Sequence, residues 1–443
     1  MGDPRSLWQI ETELPRFPAL DGDVHTDVLI IGGGLAGLLC AFQLQTAGVE
    51  CLVVEAGRIC GGVTGNTTAK ITAQHGPIYH KLVKWLGREG AGEYYRINRQ
   101  ALEEYERLSR EIDCGFEKSS AFLYTLDDPR TLRGEEEALL SIGCPVFWHE
   151  KTELPFPVAG ALEMPDQARF QPLKFVKGIL PGLTIREGTM VRRVNDTVAE
   201  TDRGTIRAQK VVFCTHFPFL DRRGCYFMKM YQDRSYVLAL ENAGPVQGMY
   251  LDSSGKGLSL RQAGKYLLLG GGGHRTGKQG GAWPELRQTA RRYWPRSREV
   301  AHWAAQDCIT LDAMPYVGAY STAEPNWYVA TGFNKWGMTG SMAAARLLRE
   351  QIVKGKTGKG ELFDPARAMK PLPLLANVAS SAAGLLTPSL RRCPHLGCAL
   401  QWNPWEHTWD CPCHGSRFDR EGKLLSAPAA KDWKGAHRCG REK

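Results

Sequence analysis

The sequence predicts an α/β fold in which a parallel-sheet domain is interleaved with an antiparallel-sheet domain and followed by a small segment rich in cysteine and histidine. Three observations predict it. Residues 27–55 read as strand, glycine turn, helix and strand; short apolar runs of the same kind return at 211–214 and 327–330; and residues 226–269 alternate polar and apolar with period two.

The stretch from Asp27 to Glu55 is the most informative. Val28 to Ile31 is an unbroken apolar run, as a parallel strand buried on both faces requires, and it stops where Gly32, Gly34 and Gly37 spell GxGxxG. Gly32 permits the tight turn, Gly34 lets the backbone approach a pyrophosphate, and Gly37 lets the following helix pack close to the strand. The second strand, Cys51 to Val54, delivers Glu55 at 21 positions after Gly34, where a Rossmann-like βαβ unit places an acid on the adenosine ribose.

Composition sets the frame. A chain of 443 residues that is 43% hydrophobic accommodates two to three domains. The net charge of +9 is spread along it, and the densest basic patch, Arg287 to Arg298, is broken by Tyr293, Trp294 and Pro295, which argues against nucleic-acid binding. No apolar run reaches the ~18 residues of a membrane span. The longest candidate, Leu374 to Leu386, contains Asn377, Ser380 and Ser381. With no signal-peptide pattern at the start, the expected compartment is the cytoplasm. Of 13 cysteines, eight precede residue 390 and five lie between Cys393 and Cys439. The scattered eight read as reduced core residues, and the terminal five need their own explanation.

In chain order, residues 1–23 read as an arm lying across the surface and 24–75 as the first part of the nucleotide domain. Its loop GRICGGVTGNTTAKITAQHG has amides and hydroxyls, among them those of Thr64 and Thr67, suited to wrapping a phosphate and a ribityl chain. Residues 76–172 begin an inserted domain: two helices joined by a glycine turn over Tyr79–Ile112, a strand at Phe116–Leu126, a helix at Arg130–Ile142, and an irregular proline-rich stretch at Leu154–Pro172. Residues 173–220 return to the nucleotide domain with a strand pair in Leu183–Val194 and a strand closed by Thr215-His216. Residues 221–306 resume the antiparallel sheet, which ends in Gly270–Gly273. No helix follows these glycines, so they form no second dinucleotide site. Residues 307–360 complete the nucleotide domain, where Thr331 to Thr339 form a second glycine turn opening a helix, placed to meet the ring end of a flavin. Residues 361–390 read as a linker and 391–443 as the terminal segment.

The GxGxxG with Glu55, Thr215-His216, Trp303 and Asp307 ahead of Asp312-x-x-Pro315-x-x-Gly318, and Thr331-Gly-x-x-x-x-Gly337 together resemble the D-amino-acid oxidase and glycine oxidase superfamily over residues 24 to 355. The resemblance implies a discontinuous FAD-binding domain with an antiparallel substrate domain roofing the flavin. Carried over, it puts Gly32, Gly34 and Gly37 on the pyrophosphate, Glu55 on the ribose, Val191 on the adenine through its backbone, and Gly332, Gly337, Met338 and Thr339 at the ring end. It also implies oxidation of a small amine or amino acid by hydride transfer to the flavin. Cys308, near the Asp312 motif, is a candidate for covalent attachment of that flavin.

Cys393-Pro-His395-Leu-Gly-Cys398 and Cys411-Pro-Cys413-His414-Gly-Ser416 give paired thiol and imidazole loops. On residue types alone, a two-iron, two-sulfur centre and a Cys2His2 zinc site both fit. The loops resemble those of Rieske proteins, which implies Cys393 and Cys411 on one iron, His395 and His414 on the other, and a disulfide between Cys398 and Cys413; Cys439 has no counterpart. Leu374 to Arg392 carries no strand signal, so the segment reads as truncated, lacking strands that normally precede the first loop. The whole arrangement resembles bacterial fusion oxidoreductases.

Two residues are candidates for chemistry. Lys335, beside the late glycine turn, would stabilise a reduced anionic flavin or help activate oxygen. His216 would orient substrate, unless it is a strand-end histidine satisfied by backbone. The leading expectation is an FAD enzyme passing electrons singly to a Rieske centre and onward to an acceptor protein. The alternative is an oxygen-using oxidase with a degenerate or zinc-binding tail; a third reading is a cofactor-binding protein without turnover.

Overall fold

The computed structural model describes residues 2–254, 257–355 and 361–433. The chain opens with α1 (Leu7–Glu11), held by a capping box between Ser6 and Gln9. Rather than lying across the surface as expected, this arm sinks Leu7 and Trp8 into the core, and Trp8 Nε1 donates to Thr67 O at 2.6 Å.

β1 (Val24–Ile31), α2 (Leu35–Thr46) and β2 (Cys51–Val54) form the βαβ unit, followed by the short β3 (Lys70–Ile71). α3 (Tyr79–Ser109) is two helices meeting at Gly87, whose φ of 69° breaks the spiral. β4 (Glu117–Thr125), α4 (Arg130–Ser141), β5 (Phe147–His149) and β6 (Gly160–Arg169) come next. β6 occupies the stretch expected to be irregular. Pro165 interrupts its alternation, the register with β4 shifts between Ser119 and Ala121, and Asp166 takes φ 56°, so the strand signal is broken at a bulge.

α5 (Pro172–Ile179), β7 (Thr184–Arg186), β8 (Val191–Asn195), β9 (Val198–Thr201) and β10 (Thr205–Phe213) return to the first domain. The strand pair expected within 183–194 is not a pair: β7 joins β2 in parallel and β8 turns back onto β9. α6 (Tyr226–Lys229), β11 (Met230–Glu241), β12 (Met249–Asp252), β13 (Ser259–Ala263), β14 (Tyr266–Arg275), α7 (Ala282–Tyr293) and β15 (Arg298–Thr310) complete the inserted domain. Gly270–Gly273 lie inside β14, where α7 packs so close that a Cβ on Gly272 would collide with Ala282. β16 (Tyr316–Ala319), β17 (Trp327–Thr331) and α8 (Gly337–Lys354) close the first domain.

α9 (Pro371–Leu386) corrects the expected linker: Pro371 starts it, an alanine-rich run carries it, and Pro388 follows its end. β18 (Gln401–Asn403), β19 (Thr408–Asp410), β20 (Arg417–Phe418) and β21 (Leu424–Ser426) form the terminal sheet.

Among the described residues the strands make three sheets. The first runs β16-β17-β10-β1-β2-β7, with β1 parallel to both β2 and β10, and β10 parallel to β17. Val28 and Ile30 enter one core with α2 and α8, whereas Leu29 and Ile31 enter another with Phe213 and Trp327. Both faces are buried, which is why these strands read as continuous apolar runs. The second sheet runs β15-β11-β14-β13-β12-β4-β6-β3 and is sealed across its middle by the parallel pair β12 and β4. That pairing joins two pieces of chain separated by the return to the first domain. The third is the four-stranded β18-β19-β20-β21. No helix among the described residues is long and apolar enough to cross a membrane.

Candidate active site and metal centre

A cavity of about 1280 Å³ lies between the first sheet and the second. It exceeds the ~300–1,000 Å³ of an ordinary small-molecule site, leaving room for a dinucleotide and a substrate together. It runs from Glu55 and Val191 past Gly32, Gly34, Thr64 and Thr67 to His216, Lys335, Gly337 and Met338, and ends under Tyr236, Gly270 and Gly271. Of the residues expected to bind cofactor, Gly37, Gly332 and Thr339 do not line it.

Each glycine of the first turn meets a different constraint. Gly32 has φ 113°, and a Cβ there would collide with Cys214 O; a Cβ on Gly37 would collide with the Gly32 carbonyl. These two build the turn. A Cβ on Gly34 would meet nothing nearer than Thr64 Oγ1 at 3.5 Å, so the space in front of it is open. The Glu55 carboxylate is held in place by the amides of Gly33 at 2.8 Å and Gly57 at 2.9 Å. Thr64 Oγ1 accepts from Leu35 N at 3.0 Å and so caps α2, while Thr67 Oγ1 accepts from Ala69 N at 3.0 Å. An open cradle ahead of a helix N-terminus and a fixed carboxylate at the far end are what a dinucleotide needs.

At the other end, Gly332 shapes the late turn from behind: its φ is 71°, and a Cβ would collide with Thr310. Asn334 braces the same turn, accepting from Thr310 N at 2.8 Å and donating to Gly332 O at 2.7 Å. Thr339, in the first turn of α8, points away from the cavity, donating to Thr72 O at 3.0 Å and lying 2.9 Å from His75 Nε2. His75, stacked on Trp336, is pushed down to about 3 by burial and is neutral. Lys335, the expected cation, stands opposite a carboxylate. Its Nζ lies 3.6 Å from Asp233, which pairs in register with Asp307 on β15. Burial pushes Asp307 up to about 6, with Lys335 opposing. His216 Nε2 is buried without a hydrogen-bond partner, and burial pushes its ring down to about 4. The His216 carbonyl accepts from Thr331 Oγ1 and from Cys308 Sγ at 3.5 Å. Burial and Asp307 push the Cys308 thiol well above its ordinary range, which opposes a nucleophilic role.

Two cavity residues escaped sequence reasoning. Lys70 Nζ is buried and donates to Tyr250 O and Ser259 Oγ, each at 2.7 Å; burial, with Arg261 nearby, pushes it down to about 7. Asp252, 5% exposed, lines the same end. The one signal was a lysine midway through an otherwise uncharged run, TGNTTAKITAQHG.

The terminal loops converge. Each closes through a glycine in the left-handed region, Gly397 at φ 84° and Gly415 at φ 89°, donating to Cys393 O at 2.9 Å and Cys411 O at 3.0 Å respectively. A disulfide joins Cys398 to Cys413. The sulfurs of Cys398, Cys411 and Cys413 lie within 4.8 Å of one another, but two are spent in that bond, leaving Cys393 and Cys411 as the thiols of the two loops. A hydrogen bond from Cys411 holds Cys393 down to about 6, and the same bond pushes Cys411 up. The rings of His395 and His414 stand 5.0 Å apart at 90°. His414 is 2% exposed, its Nδ1 has no hydrogen-bond partner, and burial pushes it down to about 3. Two thiols and two imidazoles, one with a buried orphan nitrogen, fit a two-iron centre. Cys439 lies outside the described residues.

Side chains from the inserted domain prop these loops. Arg275 on β14 donates to Pro412 O at 3.1 Å, Cys413 O at 2.9 Å and Asn377 Oδ1 at 3.0 Å. Gln232 on β11 donates to His414 O at 2.7 Å, and Gln306 on β15 to Gly415 O at 2.8 Å. Arg234 and Arg417 clasp Glu406, whose side chain is 12% exposed, and Arg417 also reaches Asp410 at 3.1 Å. Residues Lys423–Ala427 and Ala429–Asp432 form one wall of the large cavity.

A cofactor cavity in a two-domain α/β scaffold, with a cysteine and histidine centre docked on its roof, defines a class. The family model described as FAD dependent oxidoreductase (DAO) matches residues 27–351, and that of the Rieske [2Fe-2S] domain matches residues 378–436, beginning inside α9. The chain belongs to the DAO family of FAD-dependent oxidoreductases and carries a Rieske domain, so its cofactors are FAD and a [2Fe-2S] cluster. It is 33% identical to YhfW of Bacillus subtilis (strain 168), a protein named for a Rieske 2Fe-2S centre, across 97% of each chain. Among solved structures, glycine oxidase from Geobacillus kaustophilus superposes with a TM-score of 0.66 at 20% identity, covering 78% of this chain and 100% of that one. L-proline dehydrogenase from P. horikoshii gives 0.65 at 19%, covering 79% and 98%. These two share the fold.

Proposed function

We propose that the protein dehydrogenates a small amine or amino acid at FAD and passes the electrons singly to its Rieske centre. The observation that carries this reading is the shared wall: β11 gives Tyr236 to the cavity and Gln232 to the His414 loop, and the Rieske segment itself closes one side of the cavity. FAD supplies a hydride acceptor and the cluster a one-electron acceptor.

The chain's own residues hold and orient. Glu55 receives the ribose hydroxyls, the turn at Gly32 and Gly34 the pyrophosphate, and Val191 the adenine; Gly337 and Met338 at the start of α8 face the ring end. Lys335 stands beside Asp233, and His216 stays neutral at the cavity wall. Lys70 offers a buried ammonium to a substrate carboxylate, with Asp252 at the same end for the amine. Cys393, Cys411, His395 and His414 hold the irons.

Anaerobic mixing with a panel of small amines and amino acids tests the proposal. One compound should bleach the flavin band first and reduce the cluster second. His414→Ala should keep the first phase and lose the second. Iron-free protein holding one zinc, with flavin reoxidised by oxygen as fast as in the native chain, would favour the oxidase reading instead.

A further inference from the structure

α9 is built inside out. Its inward face carries Asn377, 4% exposed, which accepts from Arg275 at 3.0 Å and donates to Met228 O at 3.0 Å. Ser380 and Ser381 are half-buried beside it. The outward face carries Leu372, Leu375, Ala379, Ala383 and Leu386, whose spacing of three and four places them along one stripe. Leu372, Leu375 and Leu386 are 79%, 63% and 82% exposed, and Leu390 beyond the helix is 98% exposed. A surface helix normally turns this pattern the other way, and an exposed apolar stripe of this length marks an interaction surface. At 1.5 Å per residue it extends roughly 21 Å, a ridge on a convex helix rather than a compact patch.

Charge selects the partner. From Pro365 to Trp405 the chain has no aspartate or glutamate, while Lys370, Arg391 and Arg392 flank the stripe; Arg367 is spent on Asp312. Lys370 Nζ lies 3.0 Å from the Trp85 ring centroid, Asp312 and Lys84 are both near enough to interact with it, and the exposed Leu86 follows Trp85 in the chain. At the other end Arg392 donates to Leu385 O at 2.7 Å. Lysine, arginine and tryptophan around an apolar helix face are the composition of a segment lying at a lipid headgroup boundary, attracted by anionic lipid.

We propose that α9 seats this protein on an anionic membrane surface, lying in the plane of the headgroups with its leucine stripe in the acyl boundary. Its inner side touches the cluster loops, since a Cβ on Gly384 would lie 2.5 Å from Cys413 Sγ. Docked this way, the Rieske loops ride one helix diameter above the bilayer.

Sedimentation of the full, flavin-loaded chain with phosphatidylcholine vesicles, with and without phosphatidylglycerol, tests the seat. The native chain should pellet with the mixed vesicles at low salt and much less with phosphatidylcholine alone. Leu375→Asp combined with Leu386→Asp should lower the bound fraction about tenfold or more while leaving the visible flavin spectrum unchanged. Lys370→Glu should weaken binding at low salt by a smaller factor. Native protein that stays in the supernatant with mixed vesicles overturns the proposal, as does a double variant that pellets like the native chain. A non-pelleting dimer that the same two substitutions split would assign the stripe to a second copy of this chain.

Discussion

The glycine turn at residues 32–37 and the paired loops at 393–398 and 411–416 both present a cofactor with backbone and a few side chains, but they draw rigidity from different places. The turn is held by backbone close at hand: Gly37 by the Gly32 carbonyl, Glu55 by the Gly33 amide, and Gly32 by Cys214 at the end of the neighbouring β10. The loops take their support from elsewhere in the chain. Arg275, Gln232 and Gln306 come from the inserted sheet, and Asn377 on α9 holds Arg275 in turn. A segment read as missing half its supporting strands is therefore propped by the roof of the flavin cavity. Damage to the turn should remove everything, whereas damage to the props should remove the cluster alone.

The largest effect is expected at Gly37. Its Cβ would strike a backbone oxygen that cannot move without opening the turn, so Gly37→Val should cost about 4 kcal/mol or more and abolish flavin binding. Flavin absorbance and thermal unfolding measure it, and a yellow, stable variant would break the distinction drawn above.

Next comes Glu406. Although burial pushes its carboxyl upward, Arg234 and Arg417 hold it below the ordinary 4.5. Its contribution is therefore present above the ordinary value and is lost as pH falls through the depressed one. Glu406→Gln should cost about 3–5 kcal/mol of docking at neutral pH and flatten the acid limb of Rieske-segment unfolding. Near-native stability with an unchanged acid limb would count against the buried ion network.

Arg275→Ala should cost about 2–3 kcal/mol by leaving the carbonyls of Pro412 and Cys413 without their donor. Iron per chain should fall while flavin per chain stays constant; equal loss of both would mean the two sites share one support.

The smallest effect concerns Lys70, which sharpens the comparison from the substrate side. Protonated below about 7, it should hold a carboxylate substrate there, and KM should rise about tenfold per pH unit above that point, or ~1.4 kcal/mol each. Lys70→Met should raise KM at low pH and erase the dependence, with the flavin spectrum intact.

What was legible in the sequence follows from the same physics. Backbone crowding at Gly32 and Gly37 admits only glycine, so the turn is spelled in its letters, and burial on both faces writes β1, β10 and β17 as apolar runs. β6 was hidden because Pro165 and the neighbouring bulge erase its alternation. α9 passed for a linker because its polar residues face inward, so its pattern does not resemble a surface helix. Thr339 lies in the right motif, but the first turn of α8 carries it toward Thr72. Lys70 and Asp252 belong to no motif at all. They meet only because the sheet brings β3 and β12 to the same cavity, and nothing local records that meeting.

The interleaving of the two domains also sets an order of assembly during synthesis. Val28 pairs with Lys210, and Val211 in turn with Trp327, so the first strand waits for most of the chain before its sheet is complete. Contacts so distant in sequence form late and slowly. The flavin pocket gains its last wall, residues 423–432, only after α8 and both cluster loops have left the ribosome, and those loops pack onto β11 and β14, which precede them in the chain. Completion of the flavin pocket and folding of the cluster loops therefore both belong to the end of synthesis.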